Sequence, residues 1–252
     1  MKSELVITTS TFYSDADCPR ARCAVKMIEN ANELGISIVI VEGGSPKEFR
    51  EEISDLGAIV LDEVPHARGV MGPGRRQAIA KGFEVTGGKI SGYVEIEKYC
   101  MPMFVEELVR PILLGKVDIC VPRRLSLETY PTAQRYAEPL GNLHFLQATG
   151  LDFDMWFGPR FFNQTAGKYF LEYDDEYGGS WDPTHIPTLR CAAAGLRVAT
   201  PMVPYVHPQE QTDEEENSAV FTFKRAAQLS NLMAATEKEA KRLGLPRAAV
   251  LT

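Results

Sequence analysis

Three apolar runs near the start of the chain, LVITT, ISIVIV and AIVLD, constrain its fold more than any other feature. They lack the polar–apolar alternation of a half-exposed strand, so each is expected to be covered on both faces. Between them lie segments with helical spacing: RCAVKMIENANELG, ending at Gly35, and SPKEFREEISDLG. Next come a Gly/Pro turn opening the helix GPGRRQAIAKGFEVTGG and a fourth strand, KISGYVEIEK. Buried strands separated by helices predict an α/β fold with a mainly parallel central sheet.

After Cys100 the rhythm changes. PMFVEELVRPILLGK reads as a helix, KVDICVPRR as a strand, TAQRYAEPLGNLHFLQATG as a helix interrupted at Pro139, and FDMWFGPRFFN as a short aromatic strand. WDPTHIPTLRCAAAGLRV gives a helix and a strand, PMVPYVHP a loop, and DEEEN a solvated loop or helix start. FTFKRAAQLSNLMAATEKEAKRLG is an amphipathic helix with Phe221, Ala226, Leu229 and Met233 at core-facing spacing. No repeat or low-complexity linker interrupts the 252 residues, which suit one large α/β domain.

The net charge of −7 argues against general nucleic-acid binding, though not against one basic pocket. Cys18, Cys23, Cys100, Cys120 and Cys191 are scattered, and the single close pair lacks the second pair a zinc site needs. That usage fits a reducing compartment, and Cys120 lies in an apolar run as a buried thiol. The opening residues are too short an apolar run for a signal peptide, and none reaches the roughly 18 a membrane helix needs. A soluble, cytoplasmic protein is expected, and self-association into a homo-oligomer is compatible with the sequence.

In open α/β sheets, ligands bind beyond the carboxyl ends of the strands. The polar residues of the first hundred positions gather there: Thr8, Thr9, Ser10, Glu42, Arg75 with Arg76, and Glu95 with Glu97. On an extended chain the two glutamates share a face, and their repulsion must be offset by a metal cation, by Lys98 or by solvent. Mg²⁺ or Mn²⁺ would hold such a pair and bridge it to a diphosphate. Two arginines opening a helix oppose its dipole, which points to an anion gathered there, with the Gly72-Pro73-Gly74 turn offering backbone N–H groups. Asp182-Pro183 reads as an N-cap followed by a helix-starting proline, preceded by a loop, Tyr177 to Trp181, with an aromatic platform. His207 lies between prolines at a strand end, while His66, His144 and His185 lack partner spacing and read as structural.

This order of motifs resembles the GT-A glycosyltransferases of the family 2 type over about residues 4 to 208. VIVEGGSP matches the nucleotide-contacting turn through Glu42, and Glu95-Ile96-Glu97 stands in the Asp-x-Asp place. FGPRFFNQTAGKYF, containing Arg160, and EYGGSWDPTHIPTLRCAAAGLRV resemble the arginine segment, the glycine pair and the acidic start of the acceptor-side helix, with Asp182 on the Asp. YVHP falls where some of these enzymes place a histidine metal ligand. Glu-x-Glu is longer than Asp-x-Asp, Lys98 follows it, and Trp181 replaces the acidic partner of Asp182.

The resemblance implies a Rossmann-type GT-A sandwich with a nucleotide-binding half at 1–98, an acceptor half at 99–217 and a C-terminal helix and tail at 218–252. It implies sugar transfer from a nucleotide-diphosphate sugar to an acceptor hydroxyl, assisted by Mg²⁺ or Mn²⁺ on Glu95, Glu97 and His207. Thr8, Thr9, Ser10 and Glu42 would border the nucleoside, Arg75 and Arg76 the diphosphate, with Asp182 as base. Trp156, Trp181 and Arg160 would serve the sugar and acceptor. Two alternatives stand: a non-catalytic sugar-nucleotide-binding protein, and a nucleotidyltransferase. The glycine-free TSTFYSDADCPR after the first strand counts against the latter.

Overall fold

The computed structural model describes residues 4–67 and 69–246. The chain alternates β1 (Leu5–Thr11), α1 (Pro19–Leu34), β2 (Ser37–Glu42), α2 (Lys47–Asp55), β3 (Ile59–Asp62), α3 (Gly72–Val85) and β4 (Ile90–Tyr93). It continues with α4 (Pro102–Leu113), β5 (Ile119–Cys120), β6 (Arg123–Arg124), α5 (Thr132–Thr149), β7 (Arg160–Asn163) and α6 (Gln164–Leu171). The last elements are α7 (Asp182–Ala193), β8 (Val198–Ala199), β9 (Met202–Val203), α8 (Gln209–Glu215) and α9 (Ala219–Leu243). The expected tail beyond residue 246 lies outside the described residues.

Seven strands form one sheet in the order β3-β2-β1-β4-β7-β5-β8, and β6 pairs with β9 in a small second sheet. All pairings are parallel except those of β7, which runs antiparallel to both β4 and β5. The apolar runs explain the centre of the sheet. Val6, Ile7, Val39, Ile40 and Val41 are completely buried, and burying each such side chain contributes roughly 1.5–3 kcal/mol. One core cluster packs α1, α2 and α4 on the sheet through Met27, Ile28, Phe49, Ile53, Val105 and Leu108. The other joins α3, α6 and α7 through Ile79, Phe83, Phe170 and Leu189. Cys120 is fully buried, and desolvation pushes its thiol up to about 12.

The structure corrects four sequence expectations. The fourth strand stops at Tyr93, and the Lys98 N–H donates to the Glu95 carbonyl (2.9 Å), so Glu95 and Glu97 ride on a turn and do not share a strand face. Helix α5 runs unbroken through Pro139, which lies on its exposed side. DEEEN contributes to α8 and beyond: Glu215 is buried and receives Arg20 and, at 3.3 Å, Arg225. On α9 the core face is Leu232, Ala235, Thr236, Glu239 and Ala240, while Ala226 is exposed. No helix among the described residues is long and apolar enough to cross a membrane.

Candidate active site

Strand order reverses at β1: β2 and β3 lie to one side and β4 to the other. The crevice beyond the carboxyl ends at such a reversal is where open α/β sheets take ligands. β1 brings Thr9 and Ser10 there, β4 ends in Tyr93 and the Glu95 turn, and α3 delivers Arg75. The loop before α7 meets the start of α3, where Met71 and Gly72 N–H groups donate to the Gly179 carbonyl (2.7 and 3.1 Å), and α7 begins with Asp182 and His185.

Polar atoms in this region are buried without partners: Thr9 Oγ1, Arg75 Nε and Nη1, Glu95 Oε2 and His185 Nε2. An unsatisfied buried group costs about 1–3 kcal/mol, more when charged, so such atoms are rare unless a ligand completes them. Arg75 is the clearest case. The residue is 8% exposed, its guanidinium sits 5.3 Å from the Tyr93 ring centre, and Nη2 lies 3.6 Å from Met71 Sδ. Burial pushes the Tyr93 phenol up, and the nearby Arg75 charge opposes that rise. His185 is held down to about 3 by burial first and then by the charges of Arg160 and Arg75, so its imidazole is neutral at physiological pH. From sequence His185 reads as structural; the fold sets it on the first turn of α7 beside Asp182, near the charges of Arg160 and Arg75.

Several candidates from the sequence are occupied elsewhere. Arg76 donates to the Tyr173 carbonyl (2.7 Å) and pairs with Asp175 (2.9 Å). Glu42 closes its own turn by accepting from the N–H groups of Gly44 (2.8 Å) and Ser45 (2.7 Å), and pairs with Arg50 at 3.2 Å. Thr8 is fully buried under α3 and donates to the Gly92 carbonyl at 3.2 Å. At the α3 start the N–H groups of Met71 and Gly72 are taken by the Gly179 carbonyl. Arg160 is fully buried and donates to the carbonyls of Phe157, Pro159 (2.8 Å) and Met155 (3.2 Å) and to Thr188 (3.2 Å); burial lowers it to about 10. It braces the 155–159 loop, and its hydrogen bonds there are made within the protein and not to solvent. Trp156 packs its indole on Gly141 and lies 5.8 Å from the His185 ring, while Trp181 is half-buried in front of α7.

The proposed metal shell is not assembled. Among the described residues no three His, Cys, Asp or Glu side chains stand together as a metal site. Glu97 accepts from the Tyr13 hydroxyl (3.1 Å) and lies 3.9 Å from Arg20. His207 is buried, its Nδ1 within 2.9 Å of Thr212 Oγ1 and its ring 4.4 Å from that of Tyr130. Burial, then the charges of Lys98 and Arg20, push it down to about 3. Glu95 is different. Its Oε2 has no hydrogen bond and faces Lys98 Nζ at 4.0 Å, and that ammonium in turn rests 5.4 Å over Phe157 and 5.6 Å over Tyr205. Asp182 is the first residue of α7, with Trp181 in the N-cap position, so its side chain is not the cap the sequence suggested. Its Oδ2 instead accepts a close hydrogen bond from the Tyr173 hydroxyl.

A mainly parallel sheet with its order reversed at β1 and β7 antiparallel is the arrangement of the nucleotide-diphospho-sugar transferase, or GT-A, fold. Solved structures of glucosyl-3-phosphoglycerate synthase from Mycobacterium tuberculosis are similar throughout. The form bound to UDP gives a TM-score of 0.63 at 18% identity, covering 98% of this chain and 82% of that one. The complex with Mn²⁺, UDP-glucose and phosphoglyceric acid gives 0.62 at 18% identity over the same shares, 98% and 82%. The complex with Mn²⁺, UDP and glucosyl-3-phosphoglycerate gives 0.61 at 17% identity over 97% and 82%. No protein-family model and no curated protein sequence matches the chain.

Proposed function

We propose that this protein is a glycosyltransferase that moves a sugar from a nucleotide-diphosphate sugar to an acceptor hydroxyl. One observation carries the reading: among the described residues the buried Arg75 guanidinium has no ion-pair partner, and it stands beyond the strand ends of a GT-A sheet with unpartnered atoms of Thr9 on β1 and Glu95 on the turn after β4. A diphosphate supplies the charge and the acceptors that Arg75 lacks, through charge-assisted hydrogen bonds. Thr9 and Ser10 border the nucleotide. In an inverting transfer the acceptor oxygen attacks the anomeric carbon, its proton passes to Asp182, and the nucleoside diphosphate leaves with the bonding electron pair.

A divalent cation fits this site through Glu95, one of whose carboxylate oxygens is buried without a hydrogen bond. Mn²⁺ or Mg²⁺ typically binds one or two carboxylates and completes its shell with substrate phosphates and water, which a site without three protein ligands can accommodate. When bound, it would stabilise charge on the departing diphosphate. Lys98 Nζ lies 4.0 Å from Glu95 Oε2, and the similar synthase is bound to Mn²⁺ and UDP-glucose.

The test is a thermal-shift screen of UDP-, GDP- and CDP-sugars with and without Mn²⁺, followed by measurement of released nucleoside diphosphate. A donor-specific shift, Mn²⁺-dependent and abolished by Glu95→Gln, together with turnover, is expected. Binding without release makes the protein a sugar-nucleotide binder. Turnover that survives EDTA while Lys98→Ala abolishes it assigns the counter-charge to Lys98.

A further inference from the structure

The segment 173–181, which joins α6 to α7, is tied down far more heavily than an ordinary surface loop. Arg76 holds the Tyr173 carbonyl and Asp175 from α3. Gly179, at φ +70°, offers its carbonyl to two N–H groups at the α3 start, and Ser180 Oγ donates to the Gly69 carbonyl at 2.9 Å. Tyr177 donates its hydroxyl to Glu239 of α9 at 2.8 Å. At the head of this segment the Tyr173 side chain is 1% exposed, with the Arg190 guanidinium 5.1 Å from its ring centre. Arg190 is itself fixed by Glu239 (2.7 Å) and Glu176 (2.6 Å). Hydrogen bonds from Arg242, Arg190 and Tyr177 outweigh the burial of Glu239 and hold its carboxyl down to about 2, so this anchor stays charged.

The ring and the backbone of Tyr173 are therefore both immobilised, and its hydroxyl meets Oδ2 of Asp182. Burial, then the hydrogen bond to Asp182, push the phenol well above its ordinary range, so it remains a donor at every working pH. The terminal torsion of an aspartate is broad, and an unheld carboxylate samples many orientations. We propose that Tyr173 is a positioning residue: by pinning Oδ2 it fixes the rotation of the Asp182 carboxylate and leaves Oδ1 to take the acceptor proton. The inference rests on Asp182 being the base. It adds that the base is aimed by a tyrosine on a segment braced by both α3 and α9, so that the diphosphate helix and the base are built as one unit.

The test is Tyr173→Phe, which keeps the ring, its burial and the Arg190 contact and removes only the hydroxyl. With UDP-glucose as probe, or whichever sugar nucleotide the screen selects, kcat should fall roughly ten- to a hundred-fold, the loss expected for a hydrogen bond to a charged group. The donor Kd should stay within twofold. A crystal structure of the variant should show the Asp182 carboxyl rotated, and in an Asp182→Asn background the same change should cost nothing further in kcat. A purely structural tyrosine would lower the melting temperature and leave kcat alone. Wild-type kcat in a folded Tyr173→Phe variant overturns the proposal, as does an unmoved Asp182 carboxyl. If Asp182→Asn itself retains full turnover, the assignment of the base fails instead. If the wild type turns over no sugar nucleotide, the crystal structure alone decides whether Tyr173 orients the carboxylate.

Discussion

Arg75 and Arg124 are buried to the same degree, 8% and 7% exposed, and the fold treats them in opposite ways. Arg124 binds Asp154 through Nε and Nη2 (both 2.8 Å), meets Glu138 through Nη1, and lies 4.8 Å over the Tyr130 ring. Asn142 adds a further hydrogen bond to Asp154 at 2.9 Å. Every charge in that network is answered within the protein. Among the described residues Arg75 has no carboxylate partner; it meets a methionine sulfur and an aromatic face. Burying a charge without compensation is expensive, so an arginine left this way marks a place where something else supplies the charge. A completed network needs nothing from outside the protein, and the proposed site is read from the incomplete one at Arg75.

The largest effect should come from breaking the completed network. Arg124→Ala strands Asp154 and Glu138 in the interior, and removing one partner of a buried pair typically costs about 3–5 kcal/mol. Urea unfolding of the variant measures it; a loss below 1 kcal/mol would mean that the network is not supporting the fold. Arg75→Met should do the reverse. The side chain is close in volume and carries no charge, so stability should hold or rise, while sugar-nucleotide affinity drops roughly ten- to a hundred-fold, or about 1.5–3 kcal/mol. Marked destabilisation with unchanged affinity would make Arg75 a scaffold residue and erase the contrast.

Acid titration sharpens the contrast more gently. Burial works against the Asp154 carboxylate, but the Arg124 charge and the hydrogen bonds from Arg124 and Asn142 outweigh it and lower Asp154 to about 2. A carboxylate depressed in the folded state contributes stability that is complete above its unfolded value and is lost as pH falls through the folded one. Between roughly pH 4 and pH 2 the protein should therefore lose about 2 kcal/mol from this residue. Asp154→Asn should remove that limb from the pH–stability curve while lowering stability at neutral pH. A limb of unchanged size in the variant would assign it to other carboxylates.

The strands and helices before Tyr93 were legible because each buried run and each helical stripe keeps one period. The end of β4 was not. Val94 and Ile96 are buried, 0% and 1% exposed, so YVEIE keeps a strand's alternation after the chain has turned, and the Glu95/Glu97 pair looked like two residues on one face. His185 was hidden for another reason: its significance comes from Arg75 and Arg160, which only the folded chain brings close enough to act on it. Tyr173 was equally silent, since a tyrosine nine residues before an aspartate has no local spacing rule. Arg75 and Glu95 could be singled out because cations at a helix start and paired carboxylates after a strand need a counter-charge wherever the rest of the chain goes, whereas Asp182 looked like an ordinary helix start and stood out only through the resemblance.

Arg75 and Arg76 offer the finest version of the comparison. In sequence they are indistinguishable, adjacent cations in the first turn of α3, yet successive helical residues point about 100° apart, as 3.6 residues per turn requires. That rotation leaves Arg75 unpaired at the crevice and carries Arg76 to the carbonyl of Tyr173 and the carboxylate of Asp175. The side chains of Arg76 and Asp175 are 24% and 13% exposed, so solvent already screens part of the pair. Removing it by Arg76→Ala should cost at most about 1 kcal/mol of stability. Nucleotide-sugar affinity, measured by calorimetry beside the Arg75→Met variant, should stay within twofold of wild type. Because Arg76 also steadies the segment carrying Tyr173, kcat should decline by a small factor while the donor Kd holds. A tenfold weaker Kd in Arg76→Ala would return Arg76 to the diphosphate and show that the 173–175 contacts give way when the donor binds.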